Sequence, residues 1–409
     1  MHILLIHQAF AAIDQAGGTR HHEIARYLTS RGHRVTIIAS PVSYLTGKSQ
    51  RDQLSEIQFT ENSAEVTVLR AYTYSALHRS FLHRVFSFLS FMISSFFLGL
   101  RVPDVDIIWG TSPPIFQSLT AWSLARLKRV PFLLEIRDLW PAFAIAIGVL
   151  RQPILIWASE WMERFLYRSA DQVVVNSPGF IEHVRSAGAR NIELVPNGSD
   201  AGMFDPEAKG IEFRRTNQLG DSFIALYAGA HGISNDLGTV LLAAKIMQKM
   251  DWDVTFVLIG DGKEKPALRD QANKLSLDNL VFIPPVPKNK MPDVLAAADV
   301  CIAILKPIPL YATVYPNKVF DYMAAGRPVV LAMDGVIREV IEKAKAGVPV
   351  SPGDPDTLAN AVKYLLDHPE ERIRLGRNGR EYVKLNFNRI DQADKLGQII
   401  EKMANSNKV

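Results

Sequence analysis

Lys318 and Asp321 stand three residues apart in the run 311–330, YATVYPNKVFDYMAAGRPVV. That spacing puts Lys318 in the first turn of a helix, where exposed N–H groups and the positive helix end favour a diphosphate and an ammonium adds a point charge. Asp321, one turn later on the same face, could accept hydrogen bonds from ribose hydroxyls; the two also fit an ordinary surface salt pair. Gly17-Gly18 and Gly229–Gly232, the latter with His231 inside it, each follow the first apolar run of a half of the chain. Backbone N–H groups in such turns can meet an anion or a sugar hydroxyl, or the glycines can simply turn the chain. Gly260-Asp261-Gly262 closes a further run and is expected to turn tightly. Asp138 follows the run 132–136 and could orient or deprotonate an acceptor hydroxyl, or cap the next helix. Its neighbour Arg137 could contact a phosphate or pair with Asp138 or Glu135.

Other motifs fail. No G-x-G-x-x-G stands at the first strand-to-helix turn, which disfavours a dinucleotide-dependent dehydrogenase. Gly47-Lys48-Ser49 resembles the end of a P-loop, but the glycine required five residues earlier is Val42, so it reads as a loop. Asp-x-Asp occurs at Asp104/Asp106, Asp251/Asp253 and Asp354/Asp356, and that recurrence at element boundaries marks turn chemistry rather than a cation site. Asn197-Gly198-Ser199 matches a glycosylation sequon without a secretory leader to give it meaning.

The elements that position these residues follow from short apolar runs. Residues 2–7 and 34–40 read as strands around a helix at 19–30, with Gly32 as its C-cap glycine. Further strands are expected at 106–109, 132–136 and 172–176, then, after the turn residues at 195–198, at 222–230, 253–259, 280–283, 300–305 and 328–333. Two alternating series imply α/β architecture: two doubly wound, Rossmann-like domains facing a cleft, with ligands at the carboxyl ends of strands. The division is expected as 1–197, 198–387 and a helical tail 388–409 returning to the first domain. A length of 409 residues suits two or three domains, and 48% hydrophobic with 22% charged residues supplies full cores. The single cysteine, Cys301, excludes an internal disulfide and points to a reducing compartment, with cytosol the default. A net charge of +4 with no basic block argues against nucleic acid. The N-terminus enters a strand directly, so no signal peptide is expected.

The ordered series GGTRHHEIARYL, EIRDLWP, VPNGSD, LIGDG, PNKVFDYMAAGRPVV and AGVPV resembles the retaining, GT-B-fold glycosyltransferases of family 4 almost end to end. EIRDLWP with the preceding GTSPP is similar to the branch that adds amino or deoxy sugars, N-acetylfucosamine-type transfer included, in O-antigen, capsule and exopolysaccharide assembly. The resemblance implies nucleotide sugar on the C-terminal domain, a UDP-sugar ahead of a GDP-sugar, and a polyprenyl-diphosphate-linked saccharide acceptor on the N-terminal one. It implies neither a metal nor another cofactor. The family's acidic pair falls on Thr313 and Asp321, so the ribose-binding acid is kept and the first position is not acidic. The Arg and Lys that family members place after the first C-domain strand are missing from AGAHGISNDLG, which leaves Lys318, then His231 and the glycine-loop amides, to compensate the diphosphate. The donor is expected against Gly17, Gly18, Gly229, Gly232, Gly260, Thr313, Val314, Tyr315, Asn317, Lys318 and Asp321, with its base on Pro285 and Val286. Arg137 and Asp138 are expected at the acceptor. A sugar-nucleotide epimerase of the same fold and a non-catalytic nucleotide-sugar-binding subunit are the competing readings.

The segment 79–101 is expected to dock on an anionic cytoplasmic membrane surface without crossing it. Its uncharged run, Val85 to Leu100, is shorter than the roughly 20 apolar residues a span requires. Ser80, Ser87, Ser90 and Ser94 would form a polar stripe opposite Phe81, Val85, Phe88, Met92 and Phe96, with Arg79, His83, Arg84 and Arg101 at the headgroups. Packing inside the N-terminal domain is the alternative.

Overall fold

The computed structural model describes residues 1–43, 47, 57–61, 64–75 and 81–406. The chain divides into two compact units: Met1–Ala12, Gly17–Pro196 and Ile390–Val409 form the first, Ile13–Ala16 with Asn197–Arg389 the second.

In the first unit, β1 (His2–Ile6), β2 (Arg34–Ala39), β3 (Ile57–Glu61), β4 (Ala64–Arg70), β5 (Ile107–Ser112), β6 (Phe132–Ile136), β7 (Gln172–Val175) and β8 (Ile192–Leu194) form one sheet. Its order is β3-β4-β2-β1-β5-β6-β7-β8, with β3 antiparallel to β4 and the remaining pairs parallel. β1 reads HILLI and is buried at every position because both faces of a parallel sheet are covered. On one face lie the helix Arg20–Ser30, through Ile24 and Leu28, and the tail helix Arg389–Ser406, through Ala393, Leu396 and Ile400. Tyr27 donates to Asp394 at 2.5 Å, and His33 pairs with Glu401 at 3.0 Å. On the other face Gly110 of β5 admits the helix Ile115–Lys128 so closely that a Cβ would stand 2.6 Å from Ala121 Cβ.

The helix Phe81–Leu100 packs on that second helix, and its faces differ from the expected ones. Ser87, Phe91 and Ser95 are buried, and Gly99 abuts Leu124, whereas Phe86, Ile93, Phe97 and Leu100 are exposed. The serines are not a solvent stripe. Ser90 and Ser94 hold the 72–74 segment, through Tyr74 N to Ser90 Oγ at 2.9 Å and Ser94 Oγ to Tyr72 O at 2.6 Å. A serine can satisfy its hydroxyl on the preceding turn, as Ser95 does on Met92 O, so it can be buried without a partner from elsewhere. Arg79, Ser80, Lys48 and Ser49 lie outside the described residues, as does the side chain of Phe81. The 18-residue window His83–Leu100 is long and apolar enough to cross a membrane by length and composition, and 22% of it is buried.

In the second unit, β9 (Phe223–Ala228), β10 (Val254–Ile259), β11 (Leu280–Ile283), β12 (Val300–Ile304), β13 (Val329–Ala332) and β14 (Gly347–Pro349) run parallel in the order β11-β10-β9-β12-β13-β14. Alternate residues of β9 feed two cores. Ile224 and Leu226 pack with Val257 and Cys301 on one face, Ala225 and Tyr227 with Phe256 and Ile302 on the other. Both sheets reverse their winding beside their first strand, between β1 and β5 and between β9 and β12. Doubly wound folds open a ligand crevice at that place, outside the carboxyl ends of the strands.

Candidate functional site

At the carboxyl edge of the second unit the loops after β9, β10 and β11 are laced by backbone hydrogen bonds. Gly229 N donates to Ile259 O at 2.9 Å, His231 N to Asp261 O at 2.8 Å, and Gly260 N to Ile283 O at 3.1 Å. Gly260 is required by contact, since a Cβ there would lie 1.8 Å from Gly229 O. The loop after β12 joins them, with Tyr311 donating to Ser234 Oγ at 2.5 Å.

Lys318 enters this lattice from the second position of the helix Asn317–Ala324. Its Nζ donates to the Tyr227 hydroxyl at 2.7 Å and lies 3.9 Å from that ring's centroid, while Tyr227 O–H donates to Ala230 O at 2.8 Å. A Cβ on Gly229 would stand 2.7 Å from Nζ, so the bare glycine is what lets the amine reach the loop. Burial pulls the Lys318 pKa down from 10.5 to about 7. The amine therefore sits near its titration point, ready to gain a proton beside an anion. His231 is fully buried in the same loop, and neither ring nitrogen makes a well-formed hydrogen bond. Burial, then Lys265 and Lys318, depress its pKa to about 4 against the pull of Asp261. Lys265, which the sequence reading missed, donates to Gly260 O at 2.5 Å.

Lys318 and Asp321 form no salt pair, because their side chains take different partners. Asp321 Oδ1 lies 2.6 Å from Lys288 Nζ and accepts from Ser199 Oγ at 2.7 Å; Asn317 Nδ2 approaches Oδ2 at 3.4 Å. Asn317 is braced in turn by Arg389, whose Nη2 donates to Asn317 Oδ1 at 2.9 Å and to Gly198 O at 2.5 Å. Asn197 Nδ2 donates to Tyr315 O at 2.8 Å, which places the sequon in buried packing. Thr313 Oγ1 donates to Leu310 O at 2.7 Å in the turn before the helix. Val314 and Tyr315 are half-buried, with Tyr315 packed edge-on against Phe320 and Phe387. Pro285 and Val286 follow β11, and Gly232 has space around it, the nearest atom to an added Cβ being Asn235 Nδ2 at 3.5 Å.

At the corresponding edge of the first unit, β1 delivers His7 and β6 delivers Glu135, Arg137 and Asp138. Glu135 is fully buried between Arg20 Nε at 2.9 Å and His21 Nε2 at 2.7 Å. Burial opposes its charge, but His21 and Arg20 hold the carboxyl well below the usual range. Arg20 also donates to Val195 O and Pro196 O, both at 2.8 Å, tying GGTR to VPNG. His7 Nδ1 lies 2.8 Å from Thr111 Oγ1, and its Nε2 lies 3.3 Å from Arg137 Nη1. Gly18 keeps the loop open above Arg137, whose Nη2 would be 3.7 Å from a Cβ there. Gly17 is packed instead, with Ala11 Cβ 2.8 Å from its would-be Cβ. Asp138 does not cap the helix Ala142–Ala146, whose N-cap is Pro141. Its carboxylate has no hydrogen-bond partner among the described residues, and burial lifts its pKa to about 6 against the pull of Arg137. Arg137 thus contacts His7 and acts on Asp138 and Glu135 only through charge.

Of the Asp-x-Asp pairs, Asp354/Asp356 is the local helix-start chemistry expected, whereas Asp106 bonds a residue 104 positions away. Asp106 accepts from His2 N at 2.7 Å, and Asp354 caps its helix through Asp356 N and Thr357 N. Among the described residues no group of His, Cys, Asp and Glu is placed to hold a metal ion.

Two family descriptions match the chain in succession: "Glycosyl transferase 4-like domain" over residues 16–198 and "Glycosyl transferases group 1" over 223–368. The putative colanic acid biosynthesis glycosyl transferase WcaI of Escherichia coli K12 is 25% identical over 391 residues, covering 92% of this chain and 93% of that protein. Among solved structures, sucrose-phosphate synthase from Thermosynechococcus elongatus superposes with a TM-score of 0.78 at 19% identity over 99% of each chain. HepE of Anabaena, solved with UDP-glucose, gives 0.72 at 16% identity over 98% of this chain and 100% of its own. With both halves matched in order and both units doubly wound, the chain is a glycosyltransferase of the GT-B fold, joining a glycosyl transferase 4-like N-terminal part to a group 1 C-terminal part.

Proposed function

We propose that this glycosyltransferase moves a sugar, an N-acetylated amino or deoxy sugar, from a nucleoside-diphosphate donor to a lipid-linked saccharide in surface polysaccharide assembly, with retention at the anomeric carbon. The observation that carries the reading is Lys318. Its half-buried amine is held against the bare backbone of Gly229, at the point of the second sheet where an anionic ligand is expected. The costly step in such a transfer is charge development on the leaving diphosphate. Preorganised N–H groups, Lys318 and the buried ring of His231, whose nitrogens make no well-formed hydrogen bond, are the groups proposed to meet it. Asp138, with its pKa near neutrality and a free carboxylate, is proposed as the group that orients or deprotonates the acceptor hydroxyl, beside Arg137. The reading needs no metal and no other cofactor, since Lys318 supplies the positive charge.

The donor is proposed as a UDP-sugar, a choice supported by the UDP-glucose complex of a protein of the same fold. The likeness to WcaI supports an acceptor in polysaccharide assembly. The place of action is proposed as the inner face of the cytoplasmic membrane. Exposed apolar side chains on the helices Phe81–Leu100 and Pro153–Ser169 support this, Phe97 being 59% and Trp157 66% exposed.

The test is turnover with a panel of UDP- and GDP-sugars and a polyprenyl-diphosphate-linked acceptor. Transfer should depend on acceptor, survive EDTA, and fall by roughly 10² to 10³ in Lys318→Ala, the range for loss of one preorganised donor. Near-normal turnover in that variant would return Lys318 to a packing role, and acceptor-independent conversion of the donor would favour an epimerase.

A further inference from the structure

We propose that His7 is a positioning residue for the transfer: its neutral ring takes Nη1 of Arg137 and so leaves the Nε and Nη2 edge of that guanidinium to grip two oxygens of the acceptor's diphosphate. The proposal rests on the reading of Arg137 and Asp138 at a lipid-linked acceptor. It adds a residue that neither the motifs nor the family resemblance singled out.

Arg137 is short of partners. Its one hydrogen bond among the described residues is the 3.3 Å contact of Nη1 with His7 Nε2, and its Nε is buried without any. Nor does it form an ion pair among those residues, because the nearby carboxylate Glu135 is already taken by Arg20 and His21. Arginine cannot shed its proton to escape burial, so a group so placed calls for an anion. Nε–H and Nη2–H lie side by side on one edge of the guanidinium and form the fork that matches two oxygens of a phosphate. Nη2 lies 3.7 Å from where a Cβ on Gly18 would stand, so bare backbone borders that edge.

His7 decides which edge stays open. Arginine only donates, so His7 Nε2 must accept, and a neutral imidazole then carries its proton on Nδ1. That proton goes to Thr111 Oγ1, 2.8 Å away. The same oxygen accepts from Gln117 Nε2 at 2.8 Å, and Gln8 N donates to Gln117 Oε1 at 2.6 Å, which fixes the way the amide points. The ring is also braced by His21, with centroids 4.0 Å apart. Burial, then the charges of His21 and Arg137, hold the His7 pKa well below 6.5, so the accepting lone pair persists at neutral pH. A guanidinium anchored in this way is oriented before the ligand arrives and loses less freedom on binding it.

Steady-state transfer by the full-length protein to a polyprenyl-diphosphate-linked saccharide and to the matching polyprenyl glycoside, which lacks the diphosphate, tests the role. Wild type should have a KM for the diphosphate lipid roughly ten- to a hundredfold below that for the glycoside, the range for hydrogen bonds to charged groups. His7→Asn keeps a donor near Nδ1 but stops short of Arg137, and it should lose most of that advantage with the donor KM unchanged. His7→Gln, whose amide oxygen reaches the Nε2 position, should recover part of it, whereas a ring needed only for packing would not sort the two variants by reach. Arg137→Lys should lose the advantage as well, and adding His7→Asn to it should cost little more. If His7→Asn does not fold, as read by circular dichroism, Thr111→Val, which removes the oxygen that keeps the proton on Nδ1, is assayed in its place. An advantage intact in the folded variant, equal loss in His7→Asn and His7→Gln, or a rise in the donor KM instead overturns the role of His7 and leaves the acceptor reading standing. Equal use of the two lipids by wild type overturns the diphosphate contact, and transfer to neither overturns the acceptor reading; the role of His7 falls with either.

Discussion

Two side chains have proton affinities displaced toward neutrality, and each has a signature in solution. The Asp138 carboxyl is raised from 3.8 to about 6, chiefly by burial. Between those values the native state holds a proton that the unfolded chain has released, so stability falls as pH rises through the window and the deficit is complete above pH 6. Asp138→Asn should therefore be more stable than wild type at pH 8, by about 2 kcal/mol in urea unfolding, and the gain should vanish near pH 4. Equal stability at both pH values would mean the carboxylate is well solvated. The Lys318 amine moves the other way, from 10.5 to about 7, so above pH 7 the folded protein without ligand is largely deprotonated there. A bound diphosphate would restore the ammonium. Titrating a nucleotide sugar at pH 8 in buffers of different ionisation enthalpy should show uptake of close to one proton per donor in wild type and none in Lys318→Met. The diphosphate diester does not titrate in that range, so an uptake that persists in the variant would have to come from another group.

At the scale of elements, apolar runs made most of the central strands legible. β6 and β11 lie at the residues expected, and β1, β2, β9, β10, β12 and β13 within one or two of them. What escaped were β8 and β14, three residues each with no buried position between them, and the β3–β4 hairpin. Short strands at a sheet edge carry too few apolar side chains to stand out. The site was legible where its chemistry is local, as in Lys318 and the glycine loops, and illegible where it joins distant segments. Arg20 meets Glu135 across 115 positions and Lys288 meets Asp321 across 33, with no sequence periodicity to link them. The glycine loops also separate by contact. Gly260→Ala would drive a Cβ into Gly229 O, whereas Gly232→Ala meets nothing closer than 3.5 Å. The first should cost roughly 1 to 3 kcal/mol in thermal or urea unfolding and weaken nucleotide binding, the second should cost little, and equal tolerance would show that the loop can shift.

At the scale of the whole molecule, the exposed apolar surface of the first unit is concentrated on one layer of helices. Phe81–Leu100 packs on Ile115–Lys128 through Gly99 and Leu124, and that helix packs on Pro153–Ser169 through Trp122 and Phe165. The first of these helices exposes Phe86, Ile93 and Phe97, the last exposes Ile154, Trp157 and Trp161, and Arg101 and Arg151 stand exposed at their ends. Large apolar side chains flanked by arginines match an anionic bilayer surface, where aromatic rings enter the interface and guanidinium groups meet the headgroups. The residues to change follow from the observed burial and not from the serine spacing. Phe91 is fully buried, so replacing it would damage the core. Phe97, Trp157 and Trp161 are each more than half exposed, so replacing all three by Ser should leave the melting temperature nearly unchanged. Wild type should float with vesicles containing anionic lipid, less with zwitterionic ones, and the triple variant should stay in the dense fraction with its fold intact. A variant that still floats would move the docking surface elsewhere, and a wild type that never floats would remove the membrane from the proposal altogether.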